Sequence, residues 1–310
     1  MKAGGEGIER EGWCLRVPKS AGERRRRELA AAGLLDPTLV LRREGDELLL
    51  PLKEPCEGCG RAVFEEMEER PDLPRHDLVG GIAVLLDPKG GDADLLLRSR
   101  PSIHTVLAPE GPVEGEFRTR RFTVLAGKPT TKTRYTEYGL RFDIDLSVAY
   151  FSPRLSGERQ RVLSLMEAGE RVLDMFAGVG PFAITLAARA GIAYAADINP
   201  GAVGLMLENL ALNKVKNVLP VLADAGRLAG VLPRGFDRVV MNLPFGAAGF
   251  LDTALALCRA GGTIHLYAMV GEEGALAQVI REKGCGILGE RVVHSYSPTE
   301  WLAVYDLTVK

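Results

Sequence analysis

The run Val172-Leu173-Asp174-Met175-Phe176-Ala177-Gly178-Val179-Gly180-Pro181-Phe182 passes from an apolar strand through a glycine turn into a helix. Gly178 and Gly180 have no side chain, so a ligand can approach bare backbone there. A second strand ends in Asp197-Ile198-Asn199-Pro200. An acid about 20 residues beyond a glycine turn can accept hydrogen bonds from a ribose. Two later strands also end in polar groups, Asp224 and the Asn242 of Met241-Asn242-Leu243-Pro244-Phe245. Ligands of open α/β sheets bind outside the carboxyl ends of the strands, so Asp174, Asp197, Asp224 and Asn242 would share one crevice. Any one of them alone could equally cap a helix.

A hydride-transfer fold usually opens with G-x-G-x-x-G. Here the pattern stops short at Gly178-Val179-Gly180-Pro181-Phe182-Ala183. Asp174 sits where the strand ends, and an acid there suits the ammonium of a methionine moiety better than a pyrophosphate. Asn242 offers both a donor and an acceptor, and Pro244 stiffens its turn. That combination suits the edge of a nucleobase, although asparagine turns at strand ends are common. The set points to S-adenosylmethionine and to methylation of a nitrogen on a planar base.

Those groups need elements to position them. From residue 150 onward the pattern alternates strands (171–175, 192–197, 218–222, 237–242, 262–268) with helices (181–189, 202–213, 249–258, 274–283). Val203, Met206, Leu207 and Leu210 follow the spacing of a buried helix face. This is a doubly wound α/β sheet of the Rossmann-like type. Arg291–Tyr296 and Trp301–Val309 should close it as an antiparallel edge pair. Residues 71–149 read as an α+β middle domain, with strand-like segments at Leu78–Leu86, Ala93–Leu97, Phe117–Leu125 and Leu140–Leu146. Residues 1–70 read as a small N-terminal α+β domain and linker. Its helix would start at the capping box Ser20-Ala21-Gly22-Glu23 and stop at Gly33. A hairpin should turn at Gly45-Asp46, and a short helix is expected near Ala62–Glu69.

The chain has 310 residues, 46% hydrophobic and 26% charged, enough for two or three soluble domains. No apolar run approaches the roughly 20 residues that span a bilayer. Met1–Gly7 has no apolar core of a secretory signal, so a cytoplasmic location is expected. Five scattered cysteines do not make a disulfide framework, and Cys56-x-x-Cys59 is half of a zinc site at most, so no metal is expected. The net charge of -2 is uninformative, but arginines cluster at Arg24–Arg27 and at Arg118, Arg120 and Arg121. They suit phosphate, while a solvated helix face is the plainer reading of the first run.

Tyr150-Phe151-Ser152-Pro153-Arg154-Leu155-Ser156-Gly157-Glu158-Arg159, Asp174–Phe182, Asp197–Pro200 and Asn242-Leu243-Pro244 resemble the archaeal and eukaryotic tRNA (guanine-37-N1)-methyltransferases. Cys14–Pro18 through Arg43–Asp46 resembles the small N-terminal domain of the archaeal members. Gly115–Arg118 and Leu125–Gly127 resemble their middle domain, and Ser295–Pro298 their ending. The resemblance implies methyl transfer from S-adenosyl-L-methionine to N1 of guanosine 37 of tRNA. The related alternatives are aminocarboxypropyl transfer or methylation of a tricyclic intermediate at the same nucleotide. It further implies Glu158 as general base and Arg118 as the clamp on guanine oxygen, a role that Arg120 or Arg121 beside it could also fill. Asn242 and Pro244 would hold the base edge, with Tyr150 packed near the base. Arg159, Asp174, Phe176, Gly178, Gly180, Asp197, Ile198, Asp224, Ala225 and Asn242 would surround the cofactor. From spacing alone, Glu158 would be a dipole-complementing residue in the first turn of a helix capped by Ser156. The partner would be tRNA, with neither membrane nor DNA, and the chain a monomer.

Overall fold

Apolar runs on either side of the Gly45-Asp46 turn, Leu39-Val40-Leu41 and Leu48-Leu49-Leu50, feed the sheet of the N-terminal region. The computed structural model describes residues 8–67, 72–111, 115, 117 and 119–310, and contacts group them into two units, Met1–Asp72 and Leu73–Lys310. In the first, β1 (Glu9–Pro18), β2 (Arg42–Glu44), β3 (Glu47–Leu52) and β4 (Gly60–Glu65) form an antiparallel sheet in the order β2-β3-β1-β4. The helix α1 (Lys19–Ala31) lays Leu29 against Val17, Leu50 and Leu52. Gly33, at φ +72°, ends it as expected, with Leu34 N–H donating to Leu29 O at 3.0 Å. The capping box at Ser20 does not form. The helix starts one residue earlier behind Pro18, and Glu23 instead accepts from Arg26 and Arg27. The helix expected near Ala62 is a strand, because it pairs with the free side of β1 and buries Phe64 beside Cys14, Leu39 and Leu49. Glu68 and Glu69, its expected end, lie outside the described residues.

The second unit opens with β5 (His76–Val79), β6 (Ile82–Leu85), β7 (Thr105–Pro109) and β8 (Phe122–Gly127), ordered β5-β6-β7-β8. The segment Ala93–Leu97 is not a strand but part of the helix α2 (Asp92–Ser99). A short apolar run does not declare its period. Topology decides: β6 and β7 are parallel, so the chain must cross over between them. The crossover helix buries Leu96 against Ala83, Leu85 and Val106.

The hairpin β9 (Lys132–Glu137) and β10 (Leu140–Asp145) follows, then α3 (Ser156–Ser164). The seven-stranded sheet then runs β11 (Glu170–Asp174), α4 (Pro181–Leu186), β12 (Ala190–Asp197), α5 (Pro200–Leu212), β13 (Val218–Leu222), β14 (Phe236–Met241), α6 (Leu251–Leu257), β15 (Cys258–Val270), α7 (Ala277–Glu282), β16 (Gly286–Ser295) and β17 (Trp301–Thr308). Its order is β13-β12-β11-β14-β15-β17-β16. Strands β11 to β15 are parallel, and β17 and β16 form the antiparallel finish. The order reverses between β12 and β14 on either side of β11, which opens a crevice at the end of β11.

Two local expectations change. Leu207 is exposed, and the buried stripe of α5 is Ala202, Met206, Asn209 and Leu210. Leu155, not Ser156, occupies the cap position of α3, so Ser156 is already inside the first turn. Asn209 explains the first change. Its amide accepts from Asp143 N–H at 2.6 Å and donates to Asp143 O and Val179 O at 3.1 Å each. The hairpin, which sequence patterning assigns to the middle segment, is thereby tied to α5 and the glycine turn. Asn209→Ala should lower stability by roughly 2 kcal/mol, because buried backbone groups lose their partner. The expected readout is a lower urea midpoint at unchanged slope; an unchanged midpoint would show that the amide ties nothing together.

Candidate active site

A cavity of about 490 Å³ opens at the carboxyl ends of β11 to β14. Phe176, Gly178, Asp197, Ile198, Asp224 and Ala225 line it from three strand ends. Asn242 and Pro244 line it from β14, and Tyr150 and Arg159 from the segment that enters α3. Gly178 takes φ +55° and Gly180 φ +89°. A Cβ on Gly180 would sit 2.8 Å from Met206 Cγ, so this glycine is required by packing beneath the turn; it does not line the cavity.

The acids are set by backbone. Asp197 accepts from Gly178 N–H at 2.7 Å and Asn199 N–H at 2.9 Å. Burial nevertheless raises its pKa above the usual carboxylate range, against those N–H groups. Asp224 accepts from Gly226 N–H at 2.8 Å, leaving an oxygen for the cavity. Asp174 lies behind the lining. It is fully buried, Phe176 N–H reaches one oxygen at 3.4 Å, and Oδ2 has no partner among the described residues. Burial, with the charge of Asp197 nearby, pushes its carboxyl up to about 7. Asn242 Oδ1 is likewise buried without a partner. The loop that carries it is pinned by Met269 N–H donating to Pro244 O at 2.8 Å.

Arg159 lines the cavity, but its guanidinium is held bidentately by Glu137 at 2.6 Å in each bond, both side chains almost fully buried. Glu158, in the first turn of α3, is buried and does not line the cavity. Its carboxylate accepts from Arg161 Nε at 3.0 Å and from the Tyr267 hydroxyl at 3.1 Å, and it pairs with Arg291. Arg118 lies outside the described residues. Arg120, from the same arginine cluster, does line the cavity, and its buried Nε has no partner among the described residues.

Comparison with known proteins gives the arrangement a context. Residues 133–285 match the TRM5/TYW2 methyltransferase domain, and residues 14–59 match the tRNA methyltransferase 5 N-terminal domain. The tRNA (guanine(37)-N(1))-methyltransferase Trm5b of Pyrococcus abyssi is 36% identical, the match covering 96% of this chain and 98% of that one. The chain belongs to the TRM5 family. The crystal structure of Trm5b from Pyrococcus abyssi superimposes on this TRM5-family chain with a TM-score of 0.76 at 34% identity, covering 96% and 99% of the two chains. The complex structure of aTrm5 and tRNALeu gives 0.73 at 30% identity over the same shares.

S-adenosyl-L-methionine, on which the TRM5/TYW2 family depends, fits the site. The orphaned Asp174 Oδ2 suits a cation or amine, and Asp197 and Asp224 still offer acceptors toward the cavity. Sequence reasoning missed an aromatic and apolar lining from other segments: Phe117, Phe245, Phe250, Met269 and Tyr296. None sits at a strand end with a polar tip, the signal that found the others. Phe117, Phe245 and Tyr296 were within reach, because each falls inside a segment quoted above, Gly115–Arg118, Met241–Phe245 and Ser295–Pro298.

A testable consequence concerns Asp174. The folded chain holds a proton here up to about pH 7, whereas an unfolded carboxylate releases it near pH 4. Its contribution to stability is therefore complete below about pH 4 and is lost as pH rises through 7. Asp174→Asn should stabilise the cofactor-free protein at pH 8, by on the order of 2 kcal/mol, and leave it unchanged near pH 4. Urea unfolding at both pH values checks this; parallel curves for the two proteins would contradict it.

Proposed function

We infer that this chain transfers a methyl group from S-adenosyl-L-methionine to N1 of guanosine at position 37 of tRNA. The observation that carries the reading is the cavity in which the strand-end acids meet Asn242 and Pro244, with Asn242 Oδ1 buried and without a partner among the described residues. A group left so at a cavity wall is suited to an incoming base edge. Likeness to the Trm5b proteins over nearly the whole chain supports the substrate.

The cofactor supplies an electrophilic methyl on a sulfonium. The chain's own residues do the rest. Asp197 takes the ribose hydroxyls, Asp224 the adenine amine, and backbone from Phe176 to Gly180 the amino-acid end, with Asp174 behind it. Asn242 holds the edge of guanine, and Pro244 keeps its loop from yielding. The base must leave its stack to enter, and Tyr150, half exposed at the cavity wall, packs beside it. Glu158 removes the N1 proton, without which N1 is a poor nucleophile. It lies three residues after the cavity-lining Leu155 and one before Arg159, and acting on a base in the cavity requires it to leave Arg161, Tyr267 and Arg291. Negative charge then moves onto guanine oxygen, and an arginine opposes it. The resemblance gives that part to Arg118, and the geometry of Arg120 makes it the second candidate.

The N-terminal unit, residues 1–70, would meet the outer corner of the tRNA. On α1, Arg24–Arg27 share Glu23 and Glu28 among the described residues, so surplus positive charge is left for phosphate. A monomer in the cytoplasm completes the proposal; this one chain supplies a whole cavity wall, and no described helix is long and apolar enough to cross a membrane.

Incubation with cofactor and an unmodified transcript should place one methyl on guanosine 37, read by nucleoside mass spectrometry. An aminocarboxypropyl product, or none, would overturn the reading. Glu158→Gln should lower the single-turnover rate by about a hundredfold or more, while cofactor affinity stays within about threefold. Retained turnover would remove Glu158 from its role.

A further inference from the structure

The connection from β3 to β4 carries two of the chain's five cysteines, and methyl transfer uses neither. Cys56-Glu57-Gly58-Cys59 folds back as a reverse turn, with Cys59 N–H donating to Cys56 O at 3.1 Å. Gly58, third in the turn, takes φ +77°, the left-handed backbone that a type II turn needs at that position. A second bond closes the turn in the opposite sense: Cys56 N–H donates to Cys59 Sγ at 3.1 Å. The Cys59 sulfur is therefore laid over Cys56. A four-residue turn holds its outer Cα atoms within about 7 Å, and a disulfide spans about 4.4 to 6.8 Å between Cα atoms. Closing a bond here asks for side-chain rotation rather than backbone movement.

Both thiols are free and only partly buried, whereas Cys14, Cys258 and Cys285 are buried. This pair is the one that a reagent in solution can reach. Burial, and next to it the neighbouring Cys59, raise the Cys56 thiol, so the two sulfurs act on each other. Two thiolates are half of a tetrahedral zinc site, and among the described residues no group of three His, Cys, Asp or Glu comes together to complete one. The sulfurs also pack inward. They lie against the cluster of Val17, Leu29, Leu50 and Leu52, in which Leu29 comes from α1. A bond between them would staple the β3–β4 connection where it meets the helix that carries Arg24–Arg27.

We propose that Cys56 and Cys59 form a reversible dithiol–disulfide site whose co-substrate is a small-molecule disulfide of the glutathione type. One cysteine, as its thiolate, attacks a sulfur of the glutathione disulfide. That S–S bond breaks, and one glutathione leaves as a thiolate. The second cysteine then attacks the sulfur of the first, which forms the Cys56–Cys59 bond and releases the second glutathione. Each cysteine gives up its proton on becoming the nucleophile, and each departing glutathione takes one up. Two electrons pass from the cysteines, which are oxidised, to the glutathione disulfide, which is reduced to two thiols.

The test uses the folded full-length chain, reduced, treated with oxidised glutathione, then unfolded in iodoacetamide and digested. Alkylation should fall from five cysteines to the three buried ones. The peptide holding Cys56 and Cys59 should be lighter by two hydrogens than its free dithiol form and carry no glutathione. Dithiothreitol should restore five alkylated cysteines. Cys59→Ser should stop at a glutathione adduct on Cys56, and Cys56→Ser at one on Cys59, because the second sulfur is missing. The oxidised chain should melt no lower than the reduced one, since the bond closes on a turn already formed. Five alkylated cysteines after treatment, a lasting glutathione adduct on the native chain, or a disulfide that takes in Cys14, Cys258 or Cys285 overturns the proposal. So does a lower melting temperature on oxidation, which would mean that the turn must distort to close. The measurement needs neither cofactor nor tRNA, so its outcome is independent of the methyl-transfer reading.

Discussion

A buried carboxylate oxygen with nothing to bond costs free energy, and Asp174, whose Oδ2 has no partner among the described residues, places one at the end of β11. The chain tolerates this because β11 has neighbours on both sides and its end lies where the strand order reverses. Burial raises the acid until it holds a proton near neutral pH, which relieves the cost without a ligand. A cationic ligand relieves it differently, by drawing the proton off. The glycine turn, the two neighbouring acids and the Asn242 loop are all arranged around this point. Their backbone partners fix them before any ligand arrives, so little ordering remains for binding to impose.

The second organising feature is how charge is handled on either side of α3. Arg159 and Glu158 are adjacent in sequence and both buried, yet they answer to different parts of the fold. Arg159 is neutralised by Glu137 from the hairpin, so its ion pair fastens the hairpin to α3. Glu158 faces the other way, to Arg161, Arg291 and Tyr267. A carboxylate surrounded by donors is a weak base, which is the wrong tuning for proton removal. The exposed partner, Arg291, is the one whose departure would raise its basicity, and a polyanionic substrate is the kind of ligand that attracts an arginine.

Much of the sheet was legible because parallel strands and their crossover helices carry distinct periods. Asp174, Asp197, Asp224 and Asn242 were legible because a polar residue after an apolar strand marks a strand end. What stayed hidden depends on partners distant in sequence. Residues 60–65 became a strand only because β1 had an unpaired edge, and Ala93–Leu97 became a helix because two parallel strands need a crossover. Ser20 failed as a cap because the preceding Pro18 moved the start of the helix. Asn209, polar in an apolar stripe, serves the hairpin and the glycine turn together, and no spacing rule announces that. Tyr267 and Arg291 meet Glu158 from strands more than a hundred residues away, as the 109-residue separation of Tyr267 shows.

Under the proposed function, Asp174 beneath the glycine turn, whose Oδ2 has no partner among the described residues, meets the cationic end of the cofactor. Calorimetric titration of S-adenosylhomocysteine at pH 6, repeated in buffers of different ionisation enthalpy, counts the protons exchanged on binding. A carboxyl raised to about 7 and ionised by the ligand should release roughly one proton per molecule bound, and Asp174→Asn should release none. Binding by the native chain without proton release, or the same release from both proteins, would contradict the account.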